Sequence, residues 1–490
     1  MKVQAGTSSS HRDIQHAIRQ AGWFSGPVLF LAVLFFLHPS NMPPSAVKVM
    51  AVTLWIAIWW VTEAVPLPVT SLLPIVLFPL MKVMKLEETT AAYGHPLVFL
   101  YIGGFLLAIA IEKTGLHTRI ALSIIHRMGT RLNMIVLGFM LATGFLSMWI
   151  SNTATAVMML PIGLAIITVS EHNPGHAHVH FSKSLMLAIA YAASIGGVAT
   201  LIGTPPNVVF AGVVRDTLKV EVSFLQWFMI GFPLAAVLLV VAWWYITRIG
   251  FPLHGERLSA KTEQAALHFG SPGSMSPTEK KVAIVFAVMA VSWITRSFFL
   301  EKIIPGMDDT IIAMIGGLAL FLIPADRKKW KGILIWEDAV KLPWGIILLF
   351  GGGLALAGAF ETSGLATWIG NSLTGLTLLG KLFIILLVVA IVNFLTEFTS
   401  NLATVTMILP VLVPIAVSAG IPPLYLMTGA TLAASCGFMM PAGTPPNAIA
   451  FGSGYLKIWD MVRTGFVLNV VSIGLITLIT YFILGYVWHE

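Results

Sequence analysis

Long apolar stretches alternate with short polar segments along the whole chain. Because an α-helix rises by about 1.5 Å per residue, roughly 20 apolar residues are enough to cross a lipid bilayer. The pattern predicts an all-α polytopic membrane protein with about 11 transmembrane helices. Nine of these helices are predicted as simple spans over residues 23–37, 47–61, 69–83, 97–111, 224–246, 282–300, 310–323, 344–360 and 461–487.

Two further apolar stretches carry polar residues in their middle. Residues 134–169 contain Ser-Asn-Thr at 151–153, and residues 382–417 contain Ser-Asn-Leu at 400–402. Both stretches are too long for one simple span, and serine and asparagine favour the position that begins a helix. Each stretch is therefore predicted to be a re-entrant helical hairpin, which enters and leaves the bilayer from the same side.

Two more apolar stretches contain the same Gly-Thr-Pro-Pro-Asn motif. The motif occupies 203–207 within residues 185–214 and 443–447 within residues 424–451. Proline lacks a backbone N–H and disfavours helix at the preceding residue, so each stretch is predicted to be a broken helix. With the nine simple spans, the two broken helices complete the predicted total.

The interrupted stretches belong to an internal repeat. The same offset of 249 residues separates Glu112 from Glu361 and Ser151 from Ser400, whereas the Gly-Thr-Pro-Pro-Asn motifs are 240 residues apart. The nine extra residues are assigned to the His-rich segment 171–182, which is predicted to be a solvated loop rather than a metal site. The predicted divisions are a polar tail at 1–22, a first half at 23–250, a linker at 251–281 and a second half at 282–490.

Composition supports a membrane protein and excludes several other classes. The 490 residues are 57% hydrophobic and only 10% charged, with a net charge of +7. The basic residues cluster between apolar spans, which indicates membrane topology rather than a nucleic-acid partner. A single cysteine, Cys436, excludes an internal disulfide and a cysteine-based metal cluster.

Loop charge predicts the orientation of the chain. Residues 113–131, 248–281 and 327–341 are rich in lysine and arginine, so these loops and the N-terminus are predicted to be cytoplasmic, although Lys82 and Lys85 disagree. The first hairpin then opens from the cytoplasm and the second from outside. Inverted repeats with broken helices are typical of secondary transporters that bind substrate and ions near the membrane midplane.

The doubled motifs predict a site for both an anion and cations. Helix N-termini that converge from two sides favour a two-ended anion such as a dicarboxylate. Hydroxyl, amide and carbonyl oxygens beside the proline breaks suit sodium. The candidate sodium ligands are Ser147, Ser151, Asn152 and Gly203 in the first half, and Thr396, Asn401 and Gly443 in the second. Glu397, beside the second motif, is expected to bond a helix end or to tune the cation site, and proton coupling through it is the alternative.

The motifs and their order resemble the divalent anion/sodium symporters, which carry dicarboxylates and citrate with sodium. The resemblance covers nearly the whole chain and rests on the Ser-Asn motifs, both Gly-Thr-Pro-Pro-Asn breaks and the run Pro-Pro-Asn-Ala-Ile-Ala-Phe at 445–451. It implies a homodimer in the plasma (inner) membrane with elevator-type scaffold and transport domains. It also implies carboxylate contacts from Asn152, Thr153, Asn401, Thr444 and Pro445, and weaker contacts from Thr204 and Pro205.

The leading hypothesis is sodium-driven symport of a C4-dicarboxylate such as succinate, malate or fumarate. A dicarboxylate exchanger, or a carrier of citrate or sulfate, is the alternative within the same family. Leu402 departs from the family pattern, because many members have threonine at this position. We therefore expect substrate selectivity to be determined by the second half. A membrane-embedded enzyme and an anion channel are distant alternatives, because the sequence shows no catalytic constellation or cofactor motif and no obvious continuous pore.

Overall fold

The computed structural model describes residues 5–37, 39, 41–170, 176–253, 256–257, 273–326, 331–372 and 380–488. Most of the predicted linker 251–281 and part of the His-rich segment, including His172, lie outside the described residues. The described part is mostly helical, and it also contains one small antiparallel ribbon of strands Pro324–Asp326 and Lys331–Gly332. The all-α prediction omitted this ribbon.

Nine helices in the described part are long and apolar enough to cross a bilayer. They are Ala17–Phe36, Pro44–Thr62, Leu86–Thr114, Val179–Val198, Phe224–Gly250, Pro277–Ile303, Trp344–Thr362, Asn401–Ser418 and Ile458–Phe482. Shorter apolar helices lie at Leu67–Leu80, Leu132–Ser147, Asn152–Thr168, Asp309–Leu322 and Lys381–Leu395. Short helices outside these segments lie at Leu116–His126, Trp336–Ala339, Leu365–Ser372 and Leu484–Trp488.

Three predicted boundaries differ from the structure. Residues 176–182 of the segment predicted to be a solvated loop are helical, and Phe181 and Ser182 are buried. The span predicted at 69–83 is replaced by two short helices, Leu67–Thr70 and Leu73–Leu80, each with a proline at its first or second position. Proline is tolerated in the first turn of a helix but interrupts a helix that would continue through it. The polar tail predicted at 1–22 is helical from Ala5 onward and continues into the first span without a break.

Polar residues begin several of the helices that follow the loops. The Ser223 side chain accepts a hydrogen bond from the Gln226 N–H, and the Gln226 side chain accepts one from the Ser223 N–H. Ser276 and Glu279 form the same reciprocal pair at the helix Pro277–Thr295. These capping boxes satisfy backbone donors that a helix start leaves free, so they set where each span begins.

Each of the interrupted stretches consists of two helices separated at the predicted motif. The first hairpin consists of helices Leu132–Ser147 and Asn152–Ser170, and the first broken helix consists of His176–Val198 and Pro205–Leu218. The second hairpin consists of Lys381–Leu395 and Asn401–Ser418. The second broken helix consists of Pro423–Ala434 and Pro445–Gly452. We call residues 148–153 and 396–402, which include each turn and the start of the helix after it, the hairpin tips, and the turns at 199–204 and 435–444 the breaks.

The two halves approach opposite ends of the helix Ile458–Phe482. Near the open end of the first hairpin, Lys183 forms a 2.9 Å ion pair with Asp460, in the first turn of that helix. At the open end of the second hairpin, the ammonium group of Lys381 lies 5.8 Å from the ring of Tyr481, in the last turn. A 25-residue helix is about 37 Å long, so these two contacts lie near its opposite ends.

The first broken helix lies at the centre of the protein. The segment Val179–Val198 is 94% buried, whereas the peripheral helix Pro277–Ile303 is 22% buried. Close packing there depends on glycine: a Cβ added at Gly196 would lie 2.2 Å from the carbonyl oxygen of Gly144 in the first hairpin. Gly196 therefore allows direct backbone contact between these two helices.

We expect Gly196→Ala to destabilise the protein by about 1–3 kcal/mol or more, because backbone atoms cannot move away from the added methyl group without shifting a helix. The measurement is the thermal unfolding midpoint of the detergent-solubilised protein. Gly474→Ala is the matched control, since Gly474 also lies in a helix but an added Cβ meets nothing within 4 Å. Equal unfolding midpoints for the two variants would contradict the proposed contact.

Candidate functional site

One cavity of about 820 Å³ lies between the hairpin tips and the breaks. All seven residues that the sequence assigns to substrate line it: Asn152, Thr153, Thr204, Pro205, Asn401, Thr444 and Pro445. Of the candidate sodium ligands, Ser151, Asn152, Asn401 and Gly443 also line the cavity, whereas Ser147, Gly203 and Thr396 lie behind its surface. The fold thus brings together residues from both halves of the chain.

In the first half, a hydroxyl group and an amide oxygen meet behind the hairpin tip. The buried Ser147 Oγ lies 2.8 Å from Asn152 Oδ1 and 2.6 Å from the carbonyl oxygen of Ala193. A Cβ added at Gly197 would lie 2.3 Å from Asn152 Oδ1, so only glycine leaves room for this amide. Ser151 Oγ accepts a hydrogen bond from the Ala154 N–H and begins the second helix of the hairpin.

The second half repeats this arrangement. Thr396 Oγ1 lies 2.8 Å from Asn401 Oδ1 and 2.8 Å from the carbonyl oxygen of Ala434. Thr396 is fully buried, as Ser147 is in the first half. Each half therefore holds its motif asparagine by a hydroxyl group that comes from the end of the preceding helix.

Asparagines at the end of the Gly-Thr-Pro-Pro-Asn motifs hold the breaks together. Asn207 Nδ2 donates to the carbonyl oxygens of Gly197 and Thr200, at 3.1 and 2.8 Å. Asn447 Nδ2 donates to those of Gly437 and Met440, at 3.3 and 3.0 Å. Both side chains are fully buried. These asparagines are not among the predicted site residues, although their place in a repeated motif was a signal for a structural role.

The second hairpin tip contains a buried carboxylate that bonds to the second break and that the first tip lacks. Glu397, 2% exposed, accepts hydrogen bonds from the N–H groups of Met439 and Met440, both at 2.8 Å. It also accepts one from Asn469 Nδ2 at 2.7 Å. In the first half the equivalent position is Met148, whose carbonyl oxygen accepts a hydrogen bond from Thr200 Oγ1 at 2.5 Å.

This carboxylate has no ionic partner in the described part of the chain. Lysine, arginine and histidine side chains there lie beyond salt-bridge distance of Glu397. A Cβ added at Gly443, a candidate sodium ligand, would lie 3.1 Å from Glu397 Oε2. The negative charge of Glu397 therefore lies next to the second group of candidate sodium ligands, where it favours a cation.

The cavity wall is largely apolar, and its charged side chains lie away from the tips. Among the described residues, Arg19 and Glu63 are the charged side chains that line it. Leu402, 7% exposed, occupies the position in the second tip that Thr153 occupies in the first. The remaining apolar surface comes chiefly from Trp60, Leu67, Phe105, Ile346, Leu349 and Phe398.

Four helices begin at the cavity. Residues in the first turn of Asn152–Ser170, Pro205–Leu218, Asn401–Ser418 and Pro445–Gly452 all line it. A helix N-terminus carries a partial positive charge, which favours an anion, and the two hairpin helices also offer N–H groups, which the Pro-Pro starts of the other two lack. The site can therefore attract an anion without a lysine or arginine at the tips, and its amide and hydroxyl oxygens can bind cations.

Comparison with known sequences gives a match over nearly the whole chain. Residues 22–488 match the family described as the sodium:sulfate symporter transmembrane region. The chain is 46% identical over 470 residues to the sodium-dependent dicarboxylate transporter SdcS of Staphylococcus saprophyticus, covering 94% of this chain and 91% of that protein. It is 45% identical over 471 residues to SdcS of Staphylococcus aureus, with the same coverage.

Comparison with solved structures gives two transporters of similar fold. MtrF of Neisseria gonorrhoeae aligns with a TM-score of 0.58 at 13% identity, covering 92% of this chain and 97% of that one. The YdaH transporter of Alcanivorax borkumensis aligns with a TM-score of 0.53 at 14% identity, covering 82% and 87%. These similarities show a shared fold at identities too low to carry details of the site.

We expect Asn207→Ala and Asn447→Ala each to lower the free energy of unfolding by about 1–3 kcal/mol, because each leaves two buried carbonyl oxygens without their donor. The measurement is chemical or thermal unfolding of the detergent-solubilised protein. Asn371→Ala, a change at an exposed asparagine, is the control and should leave stability unchanged. A motif variant as stable as this control would show that the break does not depend on the asparagine.

Proposed function

Because the chain belongs to the sodium:sulfate symporter family, we propose that it is a secondary active transporter that carries C4-dicarboxylates such as succinate, malate and fumarate together with sodium. The observation that carries the proposal is that both tips and both breaks line one cavity. The similarity to proteins named sodium-dependent dicarboxylate transporters supports both the substrate class and the coupling ion. These relatives are transporters, not enzymes.

The proposed substrate contacts come from both halves. One carboxylate binds at the first tip through Asn152 and Thr153, near Thr204 and Pro205 of the first break. The other binds through Asn401, Thr444 and Pro445, and all of these residues line the cavity. Leu402 offers no hydroxyl group on its side, so the two carboxylates are held unequally, and this difference contributes to selectivity.

The proposed sodium sites lie directly behind these contacts. Ser147, Ser151, Asn152 and Gly203 contribute oxygen ligands to the first site, and Thr396, Asn401 and Gly443 to the second. The 2.8 Å separation of hydroxyl and amide oxygens in each half supports this grouping, because one small cation could contact both atoms. Asn152 and Asn401 would then contact both an ion and the substrate.

Coupling follows from charge balance. A dianion at the tips finds helix N-termini but no lysine or arginine there. Two opposite unit charges about 5 Å apart attract by about 3 kcal/mol at an effective dielectric constant of about 20, which is on the order of a hundredfold in affinity. Bound sodium ions therefore raise the affinity for the dicarboxylate, and the dicarboxylate raises the affinity for sodium by the same factor.

The proposed movement is of the elevator type in a homodimer. The two hairpins and two broken helices move together as a transport domain against a scaffold that contains the remaining spans. With about 11 crossings and a cytoplasmic N-terminus in the plasma (inner) membrane, the hairpins are re-entrant from opposite sides. The cavity reaches Arg19, near the start of the span Ala17–Phe36, and Glu63, at the end of the helix Pro44–Thr62, and this topology places both on the cytoplasmic side. The structure then corresponds to an inward-open state.

The test is uptake of labelled succinate by purified protein in liposomes, with and without an inward sodium gradient. We expect accumulation only with the gradient, and competition by unlabelled malate and fumarate. Uptake unchanged by removal of sodium would contradict symport. Uptake that required internal dicarboxylate and ignored sodium would identify an exchanger, and preference for citrate or sulfate would correct the substrate.

The site assignment predicts that Asn152→Ala and Asn401→Ala each abolish sodium-driven succinate uptake, since each removes an amide that serves both ion and substrate. Size-exclusion profile and unfolding midpoint establish that the variants are folded. Asn371→Ala, away from the cavity, serves as the control and should transport at the wild-type rate. Normal uptake by both motif variants would overturn the assignment.

A further inference from the structure

An ion pair marks the mouth of the cavity. Arg19 Nη2 lies 3.1 Å from Glu63 Oε2, and the two side chains are 54% and 56% exposed. They line the same cavity as the hairpin tips, and among the described lining residues they alone are charged. These exposed charges thus lie where the cavity meets solvent, and the tips contribute no charged side chain to the cavity lining.

Close helix packing determines the position of Arg19. Gly22, one turn after Arg19, lies against Thr62: a Cβ added there would be 2.1 Å from Thr62 Oγ1. Trp59 Nε1 donates to the carbonyl oxygen of Gly22 at 3.1 Å. Because this contact brings the N-terminal helix directly against the helix Pro44–Thr62, the guanidinium group is held at the mouth rather than free in solvent.

Glu63 is held under locally unfavourable conditions. It follows the last residue of the helix Pro44–Thr62 in a left-handed conformation, with φ of 47°. Non-glycine residues seldom adopt this conformation, and a carboxylate at a helix C-terminus is repelled by the partial negative charge there. The pairing with Arg19 offsets this repulsion and keeps Glu63 close to the arginine.

The pair leaves most of the arginine available. A guanidinium group has five N–H donors, and the Glu63 contact uses one of them. Since Arg19 is half exposed, the other donors can bind a carboxylate that enters from solvent. The cavity lining also includes apolar side chains such as Ile346 and Leu349, which offer an anion no hydrogen bond.

We propose that Arg19, positioned by the packing of the first two helices, is a capture residue for the dicarboxylate at this mouth, and that Glu63 competes with the incoming anion for its guanidinium group. The inference rests on the proposed function, because it takes a dianion as the transported substrate. It adds a specificity-determining contact that lies outside both hairpin tips and both breaks. The competing interpretation is that the pair only pins the first two helices together.

The two interpretations differ in the effect of Glu63. If the ion pair only holds the first two helices together, Arg19→Gln and Glu63→Gln impair transport in the same way. If Arg19 captures the anion, removing Glu63 frees the guanidinium group, so the two variants act in opposite directions. Arg19→Lys, which keeps the charge but not the five-donor geometry, should retain part of the function.

The experiment measures Vmax/KM for succinate in everted membrane vesicles, where the cytoplasmic mouth faces the medium, with sodium on the same side. We expect Arg19→Gln to lower Vmax/KM by about threefold to tenfold, as for loss of one charge-assisted contact. Glu63→Gln should raise it. Added impermeant salt in the medium should lower Vmax/KM of the wild type and leave that of Arg19→Gln nearly unchanged, because salt screens the attraction.

The matched control is Arg127→Gln, which removes an exposed arginine from the same predicted side but does not line the cavity. It should match the wild type in both Vmax/KM and salt dependence. If the wild type transports succinate with sodium and Arg19→Gln behaves like this control, the capture role is overturned and the proposed function stands. A parallel loss in Arg19→Gln and Glu63→Gln also overturns it. A wild type without sodium-dependent uptake would overturn the proposed function itself.

Discussion

The structure depends on satisfying the backbone of two helices that are broken inside an apolar protein. An unpaired N–H or carbonyl group in such surroundings is costly, because no water is available to bond it. Asn207 and Asn447 meet this constraint by donating to two carbonyl oxygens across each break. Glu397 does the same for the N–H groups of Met439 and Met440. The breaks persist because buried side chains replace the missing helical bonds, and the residues beside them are then free to line a cavity.

The two halves share their geometry but differ in their chemistry. Ser147 and Thr396 both hold a motif asparagine at 2.8 Å, so the arrangement of oxygen atoms is nearly the same on each side. Met148 in the first half and Glu397 in the second occupy equivalent positions of the repeat. The second half therefore carries a buried carboxylate beside its candidate sodium ligands. An arrangement that is symmetric in shape and asymmetric in charge can bind two similar ions with different affinities.

The distribution of charge in the cavity suits the proposed transport. Helix N-termini at the tips attract an anion through partial charges, which do not bind it as tightly as a buried arginine would. A transported ion must also be released, so moderate attraction at the tips is an advantage. Full charges lie at the mouth instead, where Arg19 and Glu63 are half exposed and solvent weakens their interaction.

The sequence by itself determined the membrane class, the repeat and the positions at which four apolar stretches are interrupted. These follow from local properties: the length of apolar runs, the capping preference of serine and asparagine, and the missing N–H of proline. The same local reasoning failed at 69–83, where apolar length predicted a span and closely spaced prolines divide it into two short helices. The seven residues predicted to contact substrate belong to the motifs that interrupt the helices, and all of them line the cavity.

Tertiary structure alone decided which side chains form hydrogen bonds to these motifs and which charged residues lie at the mouth of the cavity. Glu397 bonds Asn469, 72 residues away, and Arg19, which the sequence placed in a tail, reaches the mouth of the cavity beside Glu63. Such pairings arise from how helices pack against one another, and packing depends on contacts between distant residues that no local pattern records. The motifs therefore predict that a site exists. The position of its buried carboxylate and of its mouth depends on how the two halves pack together.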